Sequence, residues 1–297
     1  MQNITNHKVE DKKYNIFFSI LRIIYRFIKR LLIPKNQTIK LIKKRGLNFY
    51  VYLNETLGFR MLFPGTHEDA EINVIIQMMN IFIKDFKKKI FFCDIGSNFG
   101  LYSVIISKYY QKNVNVYSFE PNKKILKLLF KNKRINNCKN LNIFSTALSN
   151  TIGKVPLVEK GLDSTYSYVN PNQKSKRNKN NTVKIDKLDI FSKKNKVNFN
   201  FIKIDVEGHE MNVLQGAKTI LGKKLKPKVI MIELVESGLN KFRYSRRDIF
   251  QLMKKFNYVC FVNFKKNKIT KYKNQKGVFN FFFIEEKFVL KIKNLII

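Results

Sequence analysis

Tryptophan is absent from this 297-residue chain, and cysteine, histidine and proline number three, three and six. Cys93, Cys138 and Cys260 are odd in number and far apart, which excludes a disulfide framework and a C-x-x-C metal motif. They read as small buried hydrophobes in a reducing, cytoplasmic compartment. With His7, His67 and His209 as the only histidines, a zinc centre of His and Cys ligands has too few donors. Acid is scarce as well: 21 Asp and Glu stand against 58 Lys and Arg, a formal charge of +37. Such a charge suggests nucleic acid or an anionic surface. Here, however, lysine far outnumbers arginine and is dispersed along almost every segment, whereas a nucleic-acid footprint is clustered and rich in the bidentate guanidinium. Solvated faces account for the excess, and a nucleic-acid partner is disfavoured.

Apolar residues make up 44% of the chain, with 27 Phe and 13 Tyr, so a sizeable core can be buried. The length suits one large α/β domain, residues 67–297, with an extension over 1–66. Within the extension, residues 14–33 place Asn15, Ser19, Arg22, Arg26, Lys29 and Arg30 at three- and four-residue steps among Ile, Leu and Phe. This predicts a helix with a narrow basic stripe and a wide apolar face. Its four cations argue against a spanning helix, and no small-residue cleavage site of a signal peptide follows. Two readings stand: the segment lies in the interface of an anionic membrane, making the protein peripheral to it, or it docks on the protein body or a second subunit. Phe49 to Leu53 and Phe59 to Phe63 flank a turn at Asn54 to Gly58 and predict a hairpin.

Residues 68–86 show helical spacing, and then strand and helix alternate: strand 90–94, helix 100–110, strand 114–119, helix 122–134, strand 141–145. Short strands follow at 155–158 and 182–185, separated by a polar run, 170–181, that reads as a mobile loop. The alternation resumes with strand 199–204, a helix to about 221, strand 228–232, helix 246–256, and final strands at 258–263 and 279–284. The pattern predicts a doubly wound α/β fold with a seven-stranded, mostly parallel sheet.

Asp94, Glu120, Asp205, Glu207, Glu233 and Glu236 all fall at or just past the C-terminal ends of predicted strands. Ligands of open α/β sheets bind there, so acids in a chain so short of them predict one anionic pocket. The run D-I-G-S-N-F-G (94–100) joins a strand to a helix through a glycine turn that exposes backbone N–H groups. Glu120, ending the next strand, suits a pair of ribose hydroxyls. The G-x-G-x-x-G spacing and the G-x-x-x-x-G-K-[ST] loop are both missing, which disfavours a dinucleotide or a triphosphate. S-adenosyl-L-methionine has no phosphate, carries two cationic groups and needs an acid for its ribose.

D-I-G-S-N-F-G-L-Y-S, then F-E-P-N, T-A-L-S (146–149), L-D (188–189), I-K-I-D-V-E-G-H-E (202–210) and I-E-L (232–234) resemble, in order and spacing, the FkbM-type S-adenosylmethionine-dependent methyltransferases. The resemblance covers about residues 88–260. It implies a class I methyltransferase (Rossmann-like) sheet and O-methylation of a small-molecule or glycan acceptor. It also implies that Asp94, Gly96, Ser97, Asn98 and Gly100 form the methionine side of the site. Glu120 would accept the ribose hydroxyls, Pro121 and Asn122 would shape the adenosine edge, and Thr146 and Ala147 would neighbour the adenine. Transfer to a hydroxyl needs an aligned oxygen and a proton acceptor. Asp205, Glu207 and His209 are the candidates, and Asp205 with Glu207 alternatively suit a divalent cation. A rival reading, methylation of an RNA ribose 2′-hydroxyl, would use the positive charge.

Overall fold

The computed structural model describes residues 38–62, 67–158, 168–169, 182–224, 226–263 and 267–297. The expected basic helix at 14–33 and polar loop at 170–181 lie outside these residues.

The chain enters through a hairpin of β1 (Ile39–Lys44) and β2 (Leu47–Tyr52). Its turn is Arg45-Gly46, both at positive φ (53° and 76°), the pair that closes a two-residue hairpin with the twist of its strands. The expected hairpin is therefore displaced by one strand. Residues 54–58 do not turn one strand onto another; β2 ends at Tyr52 and Thr56–Arg60 forms a short helix, α1. The outer edge of β2 is bonded by two asparagines at the C-terminal end of α4 (Lys123–Ile135), Asn132 in its last turn and Asn136 at its C-cap. Asn132 accepts from the Tyr50 N–H (2.6 Å) and donates to the Tyr50 carbonyl (3.0 Å). Asn136 accepts from the Asn48 N–H (3.0 Å) and donates to the Asn48 carbonyl (2.6 Å).

Eight strands form the central sheet: β3 (Ile90–Ile95), β4 (Val114–Phe119), β5 (Leu141–Phe144), β10 (Phe201–Ile204), β11 (Val229–Glu233), β12 (Tyr258–Asn263), β13 (Ile269–Lys271) and β14 (Asn280–Glu285), the intervening β6 to β9 forming a separate small sheet. Their order is β13-β12-β14-β11-β10-β3-β4-β5. The five from β11 to β5 run parallel, and β14 inserts antiparallel between β11 and β12. The doubly wound, mostly parallel sheet is as expected, with one strand more: the three-residue β13 lies antiparallel on the edge of β12 and is too short to show a period.

The chain starts in the middle of this sheet, winds out to β5 and returns to β10 beside β3. The crevice at that reversal is where an open α/β sheet receives a ligand. Alternation along the strands fills two cores. Phe92, Phe201, Met231 and Phe282 face one, together with α2 (His67–Phe86), α3 (Leu101–Tyr110) and the hairpin residues Phe49 and Val51. Cys93, Ile202, Ile230, Phe281 and Phe283 face the other, with Met211, Val213 and Leu214 of α6 (Glu210–Gln215). The single helix expected after β10 is two, α6 and α7 (Lys218–Gly222).

The segment after β5 makes a small sheet of β6 (Ala147–Leu148), β9 (Thr182–Asp186), β7 (Gly153–Val158) and β8 (Tyr168–Val169), closed by its own core of Ala147, Val155, Leu157, Val169, Val183 and Ile185 and followed by α5 (Leu188–Lys194). No helix among the described residues is long and apolar enough to cross a membrane.

Candidate active site

A cavity of about 430 Å³ opens at the C-terminal ends of β3, β4, β10 and β11. Gly96, Asn98, Glu120, Pro121 and Asn122 line one side, and Thr146 with Ala147 and Leu157 of the small sheet continue it. Asp205, Glu207 and Glu233 line the other, with Glu68 from α2 and Arg60 from α1.

The glycine turn is fastened at both ends. The Gly96 and Ser97 N–H groups donate to the Phe119 carbonyl at 3.0 and 3.1 Å, which anchors the turn to β4. Gly96 has φ +75°, and a Cβ there would lie 1.8 Å from the Asp205 carbonyl oxygen. Glycine is thus required both for the left-handed conformation and for the approach of the turn to β10. Ser97 is buried and bonded back to β4, and Gly100 begins α3; neither lines the cavity, so this pair shapes the turn that Gly96 and Asn98 present.

Glu120 is nearly buried, and both carboxylate oxygens are engaged: Oε2 accepts from the Asn98 N–H (2.9 Å), Oε1 from the Asn122 N–H (2.8 Å). Burial outweighs these bonds and raises its carboxyl to about 7. The Asn122 side chain accepts from the Lys124 N–H and caps α4, so one acid and one cap fix the geometry of the cavity rim.

Asp94 is fully buried beneath the turn and does not reach the cavity. Its Oδ2 accepts from the Ser103 hydroxyl at 2.5 Å, and Oδ1 faces the Lys203 ammonium at 3.8 Å. Asp94 thus supports the turn from below. Burial, ahead of the Lys203 charge that opposes it, raises its carboxyl.

Lys203 was not among the residues expected at the site. It sits in β10 opposite Asp94 and Met231, on the face that Phe201 shares, with only 5% of its surface exposed. Its ammonium is 3.0 Å from Asp205 Oδ2 and 3.3 Å from the Gly96 carbonyl, and lies 5.1 Å from the centre of the Tyr102 ring. Burial alone would push its pKa down, but the charges of Asp205 and Asp94 hold it above the ordinary lysine range. A lysine inside the apolar run F-I-K-I is itself the sequence signal, since a charge in a buried central strand requires partners.

Past β10 the backbone turns through Glu207 (φ 56°) and Gly208 (φ 106°). A Cβ on Gly208 would lie 2.3 Å from the Gly238 carbonyl oxygen, so this loop is packed backbone to backbone on α8 (Glu236–Leu239). Glu210 accepts from the Val206 and Gly208 N–H groups (3.2 and 3.0 Å) and holds the loop in place. Carboxylate oxygens of Asp205, Glu207 and Glu233 then lie within 4.8 Å of one another. The Asp205 charge, followed by burial, pushes the Glu233 carboxyl well above the carboxylate range. Glu236, by contrast, turns to Arg246 at 3.6 Å and takes no part.

His209 contributes to the cavity wall, yet its ring has no exposed surface. Its Nε2 is 2.9 Å from the Ser149 hydroxyl, and the Phe242 ring lies edge-on at 5.1 Å. Burial lowers its pKa to about 4, so it is neutral at pH 7 and a weak proton acceptor there.

A model of the methyltransferase FkbM domain matches residues 94–260 of the chain. Comparison with curated proteins finds no match. Among solved structures, the chain is similar to M. jannaschii TYW2 in complex with AdoMet at 12% identity and TM-score 0.38, over 85% of this chain and 89% of that one. It is also similar to a SAM-dependent methyltransferase from Aquifex aeolicus (13%, TM-score 0.36, 69% and 87%) and to the methyltransferase domain of bacterial CtHen1 (13%, TM-score 0.38, 73% and 98%).

Proposed function

The chain belongs to the FkbM methyltransferase domain family and is an S-adenosylmethionine-dependent methyltransferase, and we propose that its acceptor is a hydroxyl of a sugar, a glycan or another small natural product. The observation that carries this reading is the convergence of Glu120 and Asp205 on one cavity, drawn together by the contact of Gly96 with the Asp205 backbone.

The residues present fit S-adenosylmethionine. Glu120 uses one acceptor position on each oxygen for a backbone N–H and keeps others for two vicinal hydroxyls. Thr146 and Ala147 offer a small, partly apolar wall for a purine, and the backbone at Gly96 and Asn98 would meet the methionine moiety. When bound, the cofactor supplies an electrophilic methyl group on a sulfonium. Asp205 takes the hydroxyl proton, since its carboxylate faces the cavity, while Glu207 and Glu233 orient the acceptor. His209 stays neutral and supports the loop that carries them.

The three oxygens of Asp205, Glu207 and Glu233 also form a hard donor set of the kind that holds Mg²⁺. Bound there, a divalent cation would lower the pKa of an acceptor hydroxyl. Activity that is abolished by EDTA and restored by Mg²⁺ supports this; activity unaffected by EDTA removes it.

Incubating the enzyme with S-adenosylmethionine labelled in its methyl group and fractionated cell extract tests the acceptor. Label in base-stable ethers of glycan or small molecules is expected, and label confined to RNA refutes the reading. Contact of residues 14–33 with an anionic membrane is part of the same proposal. Flotation with anionic liposomes should be lost when the chain starts at Asn36, and equal flotation of both forms removes it.

A further inference from the structure

Lys203 places a buried positive charge beneath a site whose walls hold Glu68, Glu120, Asp205, Glu207 and Glu233. Its ammonium bonds to the Gly96 carbonyl on the cofactor side (3.3 Å) and to Asp205 on the acceptor side (3.0 Å), and faces Asp94 at 3.8 Å. No other described Lys or Arg is buried. A strand interior is an expensive place for a charge, so its position calls for a reason beyond packing.

The reaction gives one. In methyl transfer the acceptor oxygen bonds to the methyl carbon, the C–S bond breaks with its electron pair going to sulfur, and the hydroxyl proton passes to the carboxylate. The sulfur begins as a cation and ends as a neutral thioether. Carboxylates around it favour the reactant over the transition state, and tighter binding of the reactant alone raises the barrier. A fixed cation at the junction of the two half-sites opposes that preference without blocking either.

We propose that Lys203 is an electrostatic positioning residue that offsets the surrounding carboxylates, so that the site does not hold the sulfonium reactant more tightly than the transition state in which that charge is being lost. The inference rests on the methyltransferase reading. It predicts a charge-specific change in ligand preference, which a packing role would not produce.

The test is titration calorimetry of wild type, Lys203→Met, Lys203→Arg and Asp205→Asn with S-adenosylmethionine and S-adenosylhomocysteine, under one buffer. Loss of the cation should raise the preference for the sulfonium ligand by about ten- to a hundredfold, as expected of a unit charge roughly 6–12 Å away at an effective dielectric of about 20. The arginine variant should stay within about twofold of wild type, and Asp205→Asn should shift the preference the opposite way. With acceptor present, Lys203→Met should lower kcat and KM for S-adenosylmethionine together. An unchanged preference in Lys203→Met overturns the proposal, even if both affinities fall in parallel. Should that variant fail to fold, an unchanged preference in Asp205→Asn overturns it instead. Wild type that binds neither ligand would sink the methyltransferase reading itself, a separate result.

Discussion

Replacing Glu120 by glutamine changes one atom, and the structure makes the consequence calculable. Each carboxylate oxygen now receives a backbone N–H, from Asn122 at 2.8 Å and from Asn98 at 2.9 Å. In the amide, one of these positions becomes an NH₂ that confronts an N–H, donor against donor, in a site only 7% exposed. The turn or the start of α4 must then withdraw, and one acceptor for the ribose is lost outright. A hydrogen bond to a charged group contributes about 1.5–3 kcal/mol, so losing the one to the ribose weakens S-adenosylmethionine by roughly 10- to 10²-fold in Kd, before any cost of displacing the turn. Titration calorimetry measures this directly. A pH series adds an internal control, because burial raises the Glu120 carboxyl to about 7. Binding uses the anion, so below that value a proton must first leave, and affinity falls as pH falls, by up to about tenfold per unit. The glutamine variant has no such proton and should lose this slope. Affinity within about threefold of wild type, or an unaltered pH slope, refutes the assigned role of Glu120.

Three further outcomes are expected. Gly96→Ala places a methyl 1.8 Å from the Asp205 carbonyl at φ +75°; it should lower thermal stability by at least about 2 kcal/mol and abolish cofactor binding, and a variant that binds normally contradicts the packing described. Asp205→Asn should lower the single-turnover rate by about 10² to 10⁴ with the acceptor fraction identified by labelling, and a rate within about threefold assigns the proton acceptor elsewhere. Because burial lowers His209 from an ordinary 6.5 to about 4, the unfolded chain takes up its proton first as pH falls. Its contribution is complete above pH 6.5 and is lost between 6.5 and 4, up to about 3 kcal/mol. Urea denaturation of wild type and His209→Gln across that window should show a smaller pH slope in the variant, and identical slopes would exclude the assignment.

Long, strongly periodic elements were legible in the sequence. Helix 67–86 and strands 90–95 and 114–119 fall within a residue of their expected limits, because each carries an uninterrupted pattern that tertiary context does not have to override. The hairpin was misplaced because Phe59 to Phe63 looks extended when read alone, while the turn that closes the strands is the less conspicuous Arg45-Gly46. Types of site residue were legible for a similar reason: an acid or glycine at a strand end is visible. Depth was not. Asp94 and Gly96 are two residues apart, yet one lies under the turn and the other on the cavity. Likewise, nothing in the spacing of His209 foretells that Ser149, sixty residues away, closes over it. Glu68 sits in the first turn of a helix where an acid is expected for the dipole alone, and only the packing of α2 brings it to the cavity.

The two asparagines at the C-terminal end of α4 that bond β2 have a geometric consequence of their own. Residues four apart on a helix advance by about 6 Å and residues two apart on a strand by about 6.8 Å, so the two repeats nearly coincide over one step. Asn132 and Asn136 thereby imitate an adjacent strand for Tyr50 and Asn48, each amide presenting the donor and acceptor that a backbone would. The mismatch of about 0.8 Å accumulates with every further step, which limits such imitation to about two rungs. Those two rungs deny the β2 edge to a neighbouring molecule without adding a strand. They also tie the hairpin to the helix whose first turn rests on Glu120, so a displacement of the hairpin would be felt at the ribose end of the cavity.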